Sequence, residues 1–512
     1  MRHRRIARTT ALAASMIVAA SLAAPAGATS GSASPSLRLF AAQSSVTLFR
    51  YGRQQVSLDV GAYVASVGGA FQINVARAGY RDPIEAEQVA NTGSGTTITP
   101  LPEGIVKDWN GLPWFMRVTV TDHNGNVAAV RHVTFCPDTY DQQRLSPNGP
   151  PDPTFPQYCS SNPFTLGMVW GIDDGWAVNP ITSSPSYPQA RLKNGTYTVQ
   201  LAINPRYQEL FGIAAQDAQV SVQARVRTQS GGGCPPFCPV RQHPRSAGSP
   251  GQKRATPTTN VPVTTHPDRS TEPDLVALPA WGINIDHQSG RDYLDFGATV
   301  WNRGPAPMVV EGFRRPGTAI MDAWENFYDA SGTAVARAQV GTLKYDARPG
   351  HEHWHFQQFA TYQLLDANKN SIVYSTKEGF CLAPTDAIDL AVPRADWNPG
   401  QLGFGGTVCG GANSLWTRET LPTGWGDTYF QGLPGQSFDI TNLPNGTYLI
   451  AVKANPTGQL YERSTANNVR YRRVILGGTR GARTVTVPPW MGIDTEGGNG
   501  GGIGVPGPVH AA

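Results

Sequence analysis

The sequence predicts an all-β fold built as two β-sandwiches, and three observations lead there. Gly (56) and Pro (42) are abundant, and only 15% of the 512 residues are charged. Runs such as VTLFRYGRQQVSLDV, FMRVTVTD and YLIAVKAN are rich in β-branched and aromatic residues and are bounded by turn formers. No long, capped pattern of period 3.6 interrupts them. A chain of this length exceeds one ordinary core, so two domains with connecting segments are expected.

Taken in order, residues 1–28 read as a signal peptide. Arg2, Arg4, Arg5 and Arg8 precede an apolar, Ala-rich run, and Ala26-Gly27-Ala28 is a small-residue cleavage site. No later segment approaches a membrane span, so a secreted, extracellular protein is expected, with no membrane contact after cleavage. Removing four of the 41 basic residues leaves them equal in number to the 37 acidic ones. Such a neutral chain has no electrostatic reason to bind nucleic acid.

Residues 36–228 form the first expected domain, and 273–480 the second. Between them, 229–272 is a Pro/Gly/Thr-rich linker, and 481–512 is expected to be a Gly-rich tail. Six cysteines fall in sequence-local pairs, Cys136/Cys159, Cys234/Cys238 and Cys381/Cys409. None has the C-x-x-C spacing of structural zinc, so disulfides are the better reading in an exported chain.

The two halves repeat one another. LKNGTYTVQLAINP (192–205) matches LPNGTYLIAVKANP (443–456), DHNGN (122–126) matches DANKN (366–370), and VTFCPDTYDQ (133–142) parallels EGFCLAPTDA (378–387). An ordered series of matches at similar spacing argues for duplication. Each half is then an immunoglobulin-like sandwich of about 190–200 residues with long loops. Asn194 and Asn445 stand in N-x-T sequons and are expected mainly as hairpin-turn residues, because Asn-Gly favours two-residue turns.

The halves differ where chemistry is expected. GHEHWHF (350–356) places His351, His353 and His355 at alternate positions. On a strand all three face one way, with Cβ atoms roughly 6.6 Å apart in succession, so three imidazoles can converge on one ion. On ligand chemistry alone Cu(II), Zn(II) and Ni(II) are equally suited. Glu352 and Trp354 face the other side. In the first half the equivalent segment is approximately LPWFM, without histidine, and His132 stands where the second half has Lys377. The first half is therefore expected to be a degenerate, non-catalytic partner.

GHEHWHFQQFATYQLLDA resembles the copper-binding segment of lysyl oxidases. PDLVAL (273–278), VWNRGPAP (300–307), STKEGFCL (375–382), GDTYFQGLPGQSFDIT (426–441) and NPTGQLYERSTANN (455–468) resemble further segments of that family, in order, over about 273–472. The resemblance implies a Cu2+ ion on His351, His353 and His355. It also implies a lysine tyrosylquinone cofactor made from Lys377 and Tyr429, which oxidises primary amines or protein lysines to aldehydes with dioxygen. A quinone suits that task because it accepts a primary amine covalently.

Animal lysyl oxidases carry an Asp and a further His after the copper segment, candidates for the proton-abstracting base. This chain has FQQFAT there, with Gln357 or Gln358 and Thr361, none of which can act as a base. Asp427, two residues from Tyr429 and on its face in a strand, is the substitute. Two other readings of the same residues exist. A secreted, non-catalytic adhesion protein with a metal-binding immunoglobulin-like domain would use the PDLV, NGTY and E…NN strand signals alone. A zinc hydrolase would need a nucleophile or general-base motif that the histidines lack.

Overall fold

The computed structural model describes residues 35–52, 54–92, 95–139, 141–229, 258–348, 352–375, 379–399, 407–430, 437–493 and 495–496. The fold is all-β. Among the described residues the only helices are Pro205–Leu210, capped by the Asn204 side chain with Pro205 opening it, and a single 3-10 turn at Ala215–Asp217. None is long and apolar enough to cross a membrane.

The repeat read from the sequence is a repeat of structure. In the first half one five-stranded sheet runs in the order Val127–Phe135, Leu112–Asp122, Gly195–Ile203, Gln219–Gln229, Ser45–Tyr51. In the second half another runs Ser371–Tyr374, Ala360–Asp366, Gly446–Ala454, Val469–Thr479, Ala482–Thr486. Asp122 and Asp366 close identical turns: each Oδ1 accepts the amides two and four residues on, and each Oδ2 accepts the side chain of Asn126 or Asn370. Tyr197 and Tyr448 each donate a hydroxyl to the carbonyl four residues back, Lys193 O and Pro444 O. Only the edge strand differs, parallel in the first half and antiparallel in the second.

The Asn-Gly pairs are not hairpin turns. Gly195 and Gly446 open their strands, and the Asn side chains are pinned by arginines from the edge strands, Arg50 Nη2 to Asn194 Oδ1 at 3.2 Å and Arg483 Nη1 to Asn445 Oδ1 at 2.7 Å. An amide oxygen held by a guanidinium fixes the loop from its side chain, so the backbone need not make a tight turn.

Two expected boundaries also move. The stretch 258–272 is not all linker: Thr258 N and Oγ1 both donate to Glu311 Oε1, and Val263 bridges Arg337. The expected tail contributes the strand Ala482–Thr486, and Trp490 packs against Tyr80 and Phe164. The alternation in ARTVT supplies a strand edge that a count of glycines overlooks.

The histidine segment lies in a six-stranded sheet ordered Gly379–Phe380, His353–Gln357, Ala334–Asp346, Ile320–Tyr328, Met308–Arg314, Trp416–Leu421. This sheet curls, so that residues 408–409 bridge the histidine strand and the last strand. Trp354 N donates to Cys409 O at 3.0 Å, and Val408 pairs with Arg418 of the last strand. A bend at Gln358 (φ 62°) sends the chain from this sheet into the five-stranded one, where Ala360–Asp366 begins. Trp114 (φ 56°), eight residues before Asp122 as Gln358 is before Asp366, makes the same bend in the first half.

Candidate active site

That shared bend corrects the register between the halves. The first-half counterpart of His351–Phe356 is Lys107–Leu112 (KDWNGL), not LPWFM. Leu112 pairs with Phe135 as Phe356 pairs with Phe380. His355 then corresponds to Gly111, at φ 116°, where a Cβ would overlap the Phe135 carbonyl. The first half has no space for an imidazole at that position. His132 lies exposed and stacks on Trp114 instead, with centroids 4.8 Å apart.

In the second half, His353 and His355 project together from one strand. Their rings are 4.5 Å apart and nearly perpendicular, and their Nε2 atoms are 2.8 Å apart. Such a pair either shares one proton or holds one ion. His355 is buried, and its Nδ1 lies 3.7 Å from Asp346 Oδ2. The hydrogen bond from Arg348 holds the Asp346 carboxyl well below the usual carboxylate range, so a negative charge stands behind the imidazole. Trp354 turns the other way, as alternation requires, donating Nε1 to Gly411 O beneath the Arg314 guanidinium. His351 and Lys377 lie outside the described residues. Among the described residues no group of three His, Cys, Asp or Glu is arranged to hold an ion.

Tyr429 and Asp427 stand on the strand Trp425–Phe430, opposite Ala298 and Val300 of Arg291–Asn302. Spaced by two, they share the face that looks into the core. The Tyr429 hydroxyl donates to Cys381 O at 2.6 Å, and its ring packs edge-on to Phe380 at 5.1 Å. Phe380 pairs with Phe356, one residue past His355, so a single layer of backbone connects the histidine pair to the tyrosine. The disulfide Cys381–Cys409 braces this layer, and Cys136–Cys159 forms at the matching place in the first half. The Cys234/Cys238 pair lies outside the described residues.

Two residues of the site were not singled out in the sequence. Glu419, fully buried, joins its two sides: Oε1 accepts Phe356 N at 3.2 Å and Oε2 accepts Leu382 N at 3.0 Å. Tyr362 packs its ring on Phe296 and Phe380. Burial pushes Glu419, Tyr362 and Tyr429 toward their neutral forms, and the nearby Asp427 adds to all three. Glu419 was legible as a charge on the inward face of WTRETL, where Thr417 and Leu421 are its buried neighbours. Tyr362 carries no such signal.

The lysyl oxidase family model matches residues 407–484, which include Cys409, Glu419, Asp427 and Tyr429. Lysyl oxidase homolog 2 of Gallus gallus is 29% identical over 132 residues, covering 25% of this chain and 15% of that protein. Lysyl oxidase homolog 4 of Mus musculus is 28% identical over 151 residues, covering 29% and 18%. Protein-lysine 6-oxidase of Homo sapiens is 31% identical over 121 residues, covering 23% and 25%. The chain thus spans a quarter or less of the length of these relatives. A solved tetra-tandem repeat from a large adhesion protein aligns at 9% identity, over 87% of this chain and all of that one, with a TM-score of 0.11 that carries no fold argument. The histidine pair, the half-buried tyrosine and these matches agree: the C-terminal region of this chain is similar to the lysyl oxidase family, whose model it matches over residues 407–484.

Proposed function

We propose that the second half is a copper-dependent amine oxidase acting on primary amines, among them the ε-amines of peptidyl lysine. The balanced reaction is RCH2NH2 + O2 + H2O giving RCHO + NH3 + H2O2. The observation that carries this reading is the placement of Tyr429, hydrogen-bonded to Cys381 O, one backbone layer from the His353–His355 pair.

His353, His355 and His351 would hold the Cu2+, with Asp346 behind His355. Lys377 precedes Gly379 by two residues, so chain connectivity keeps the two within about 7 Å, and Lys377 with Tyr429 would form lysine tyrosylquinone. That group supplies the electrophile for the amine and the store for two electrons on their way to dioxygen. The chain's own residues do the rest. Phe380 packs edge-on against the tyrosine ring with Phe356 and Tyr362 against Phe380 in turn, and Glu419 keeps the histidine strand and Cys381 in fixed relation. Asp427, on the tyrosine's own face, is the carboxylate assigned to take the substrate α-proton at Oδ.

The matched aspartate turns and tyrosine hydroxyl contacts support immunoglobulin-like sandwiches for both halves. Gly111 in place of His355 supports a non-catalytic first half over 36–228. Export is proposed from residues 1–28, with the two disulfides in agreement.

The test is to express the full chain with copper, treat it with a quinone-labelling hydrazine and locate the label by peptide mass. A labelled cross-link between the Lys377 and Tyr429 peptides, with peroxide released from amines, is expected. Absence of both sinks the proposal. Lys377→Ala should lose the label and keep the copper.

A further inference from the structure

We infer that the first half is a working part of the quinone-forming site: Asn162 and Tyr158 are positioning residues for the strand that carries Tyr429. The inference rests on the amine-oxidase reading above. It gives the first half, expected to be a degenerate, non-catalytic partner, a positioning role.

The loop 158–167 of the first half, tied back by the Cys136–Cys159 disulfide, lies against the second half through a series of hydrogen bonds. Tyr158 Oη donates to Thr385 O at 2.6 Å with its ring edge-on to Trp425. Thr165 Oγ1 donates to Ala387 O at 3.1 Å, Leu390 N donates to Gly167 O at 2.9 Å, and Gly167 bridges Asp389 in parallel. Phe164 is fully buried with Trp281, Trp301 and Ile388 of the second half. An interface of this depth, with strand-like backbone pairing, is not that of two beads on a string.

The polar part of it ends behind Tyr429. Asn162, fully buried, accepts Phe164 N at Oδ1 and donates Nδ2 to Thr299 Oγ1 at 3.2 Å. Trp281 Nε1 donates to the same Thr299 oxygen at 3.2 Å. A hydroxyl has two acceptor sites and one proton. With both sites taken, the Thr299 proton must go to its remaining neighbour, Thr428 Oγ1 at 2.7 Å. The Thr428 hydroxyl then passes on to the buried Asp386, and Thr428 N donates to Thr385 Oγ1 at 2.7 Å. Thr428 sits between Asp427 and Tyr429, its side chain on the opposite face. A directed chain therefore runs from Asn162 through Thr299 and Thr428 to Asp386, which Asn162 also bonds directly, and Tyr158 holds the Thr385 that caps it.

Because the donors are fixed in order, removing Asn162 frees the Thr299 proton and the Thr428 side chain to reorient. The Tyr429 ring on the other face then loses its fixed position. Displacements of about 1 Å cost on the order of a hundredfold in rate where reacting atoms must meet.

The test uses the full chain, Asn162→Ala, Tyr158→Phe, Thr428→Val and Thr428→Ser. Copper per chain, the rate of Lys377–Tyr429 cross-linking under air by peptide mass, and amide exchange over 425–430 are measured. Expected are unchanged copper, cross-linking slowed at least about tenfold in Asn162→Ala and Thr428→Val, a smaller slowing in Tyr158→Phe, and recovery in Thr428→Ser, which keeps the hydroxyl. Tyr158→Phe, which loses one oxygen and keeps the ring, decides the matter if Asn162→Ala does not fold. Cross-linking at the wild-type rate in every variant that folds overturns the inference. A wild-type chain that binds copper and never cross-links removes the amine-oxidase reading instead. The coupling is then judged by exchange alone: faster exchange over 425–430 in Tyr158→Phe upholds it, and unchanged exchange overturns it.

Discussion

Gly379 passes His355 with no room for a side chain: a Cβ there would stand 2.9 Å from the His355 Cβ and 2.7 Å from Gln357 Nε2. The bare glycine lets the two backbones pair, Gln357 with Gly379 and Phe356 with Phe380, directly beside the histidines.

Gly379→Ala is therefore expected to push the His355 strand away, costing about 1–3 kcal/mol by overpacking and weakening copper binding. Denaturant midpoints and a copper titration measure both. Gly411→Ala is the control, since a Cβ there meets nothing within 4 Å. Equal copper affinity in the two variants would show that Gly379 has no part in the site.

Glu419→Ala strips the acceptors from two buried amides, Phe356 N and Leu382 N. Each orphaned donor costs about 1–3 kcal/mol, so a loss of several kcal/mol in unfolding free energy is expected. A loss below about 1 kcal/mol would mean that water replaces the carboxylate. Glu419→Gln should fall between the two, because an amide can accept from only one of these donors.

Asp427→Asn separates the base from the cofactor. The variant should still form the hydrazine-labelled cross-link while peroxide production from amines falls by on the order of a hundredfold or more. Normal turnover with the amide in place would exclude Asp427 as the proton acceptor.

Glu325 gives the chain a pH dependence remote from the histidines. Burial, helped by Glu462 and Glu272 and opposed by the Tyr461 amide, pushes its carboxyl up to about 8. The folded state holds that proton more tightly than the unfolded chain does. Its contribution is complete below the unfolded value near 4.5 and is lost as pH rises through about 8. Glu325→Gln should flatten the fall in stability between those limits, as urea midpoints at pH 5 and 8 would record. An unchanged slope would assign the dependence to other groups.

Opening the Cys381–Cys409 loop by the double Ser variant should cost about 3–4 kcal/mol for a closed loop of 28 residues. The cross-link yield should fall with it, since Cys381 O holds the Tyr429 hydroxyl and Cys409 O holds the Trp354 amide. Full yield in the reduced form would show that the strands alone suffice.

The sequence by itself determined what depends on neighbours along the chain. Alternation put His353 and His355 on one face and Trp354 on the other, and the Asp-x-Asn-x-Asn type turns and NGTY strands announced the repeat. Period-two geometry and side-chain-to-backbone bonds within four residues are local, so they can be read without a fold. Tertiary structure decided everything that depends on distant segments meeting. The bend at Gln358 fixed the register that sets Gly111 against His355, and the curled sheet brought Glu419 to Phe356, 63 residues away. Asn162 reached Thr299 across 137 residues. No periodicity encodes such contacts, because they follow from how whole sheets pack and where their buried polar atoms find partners.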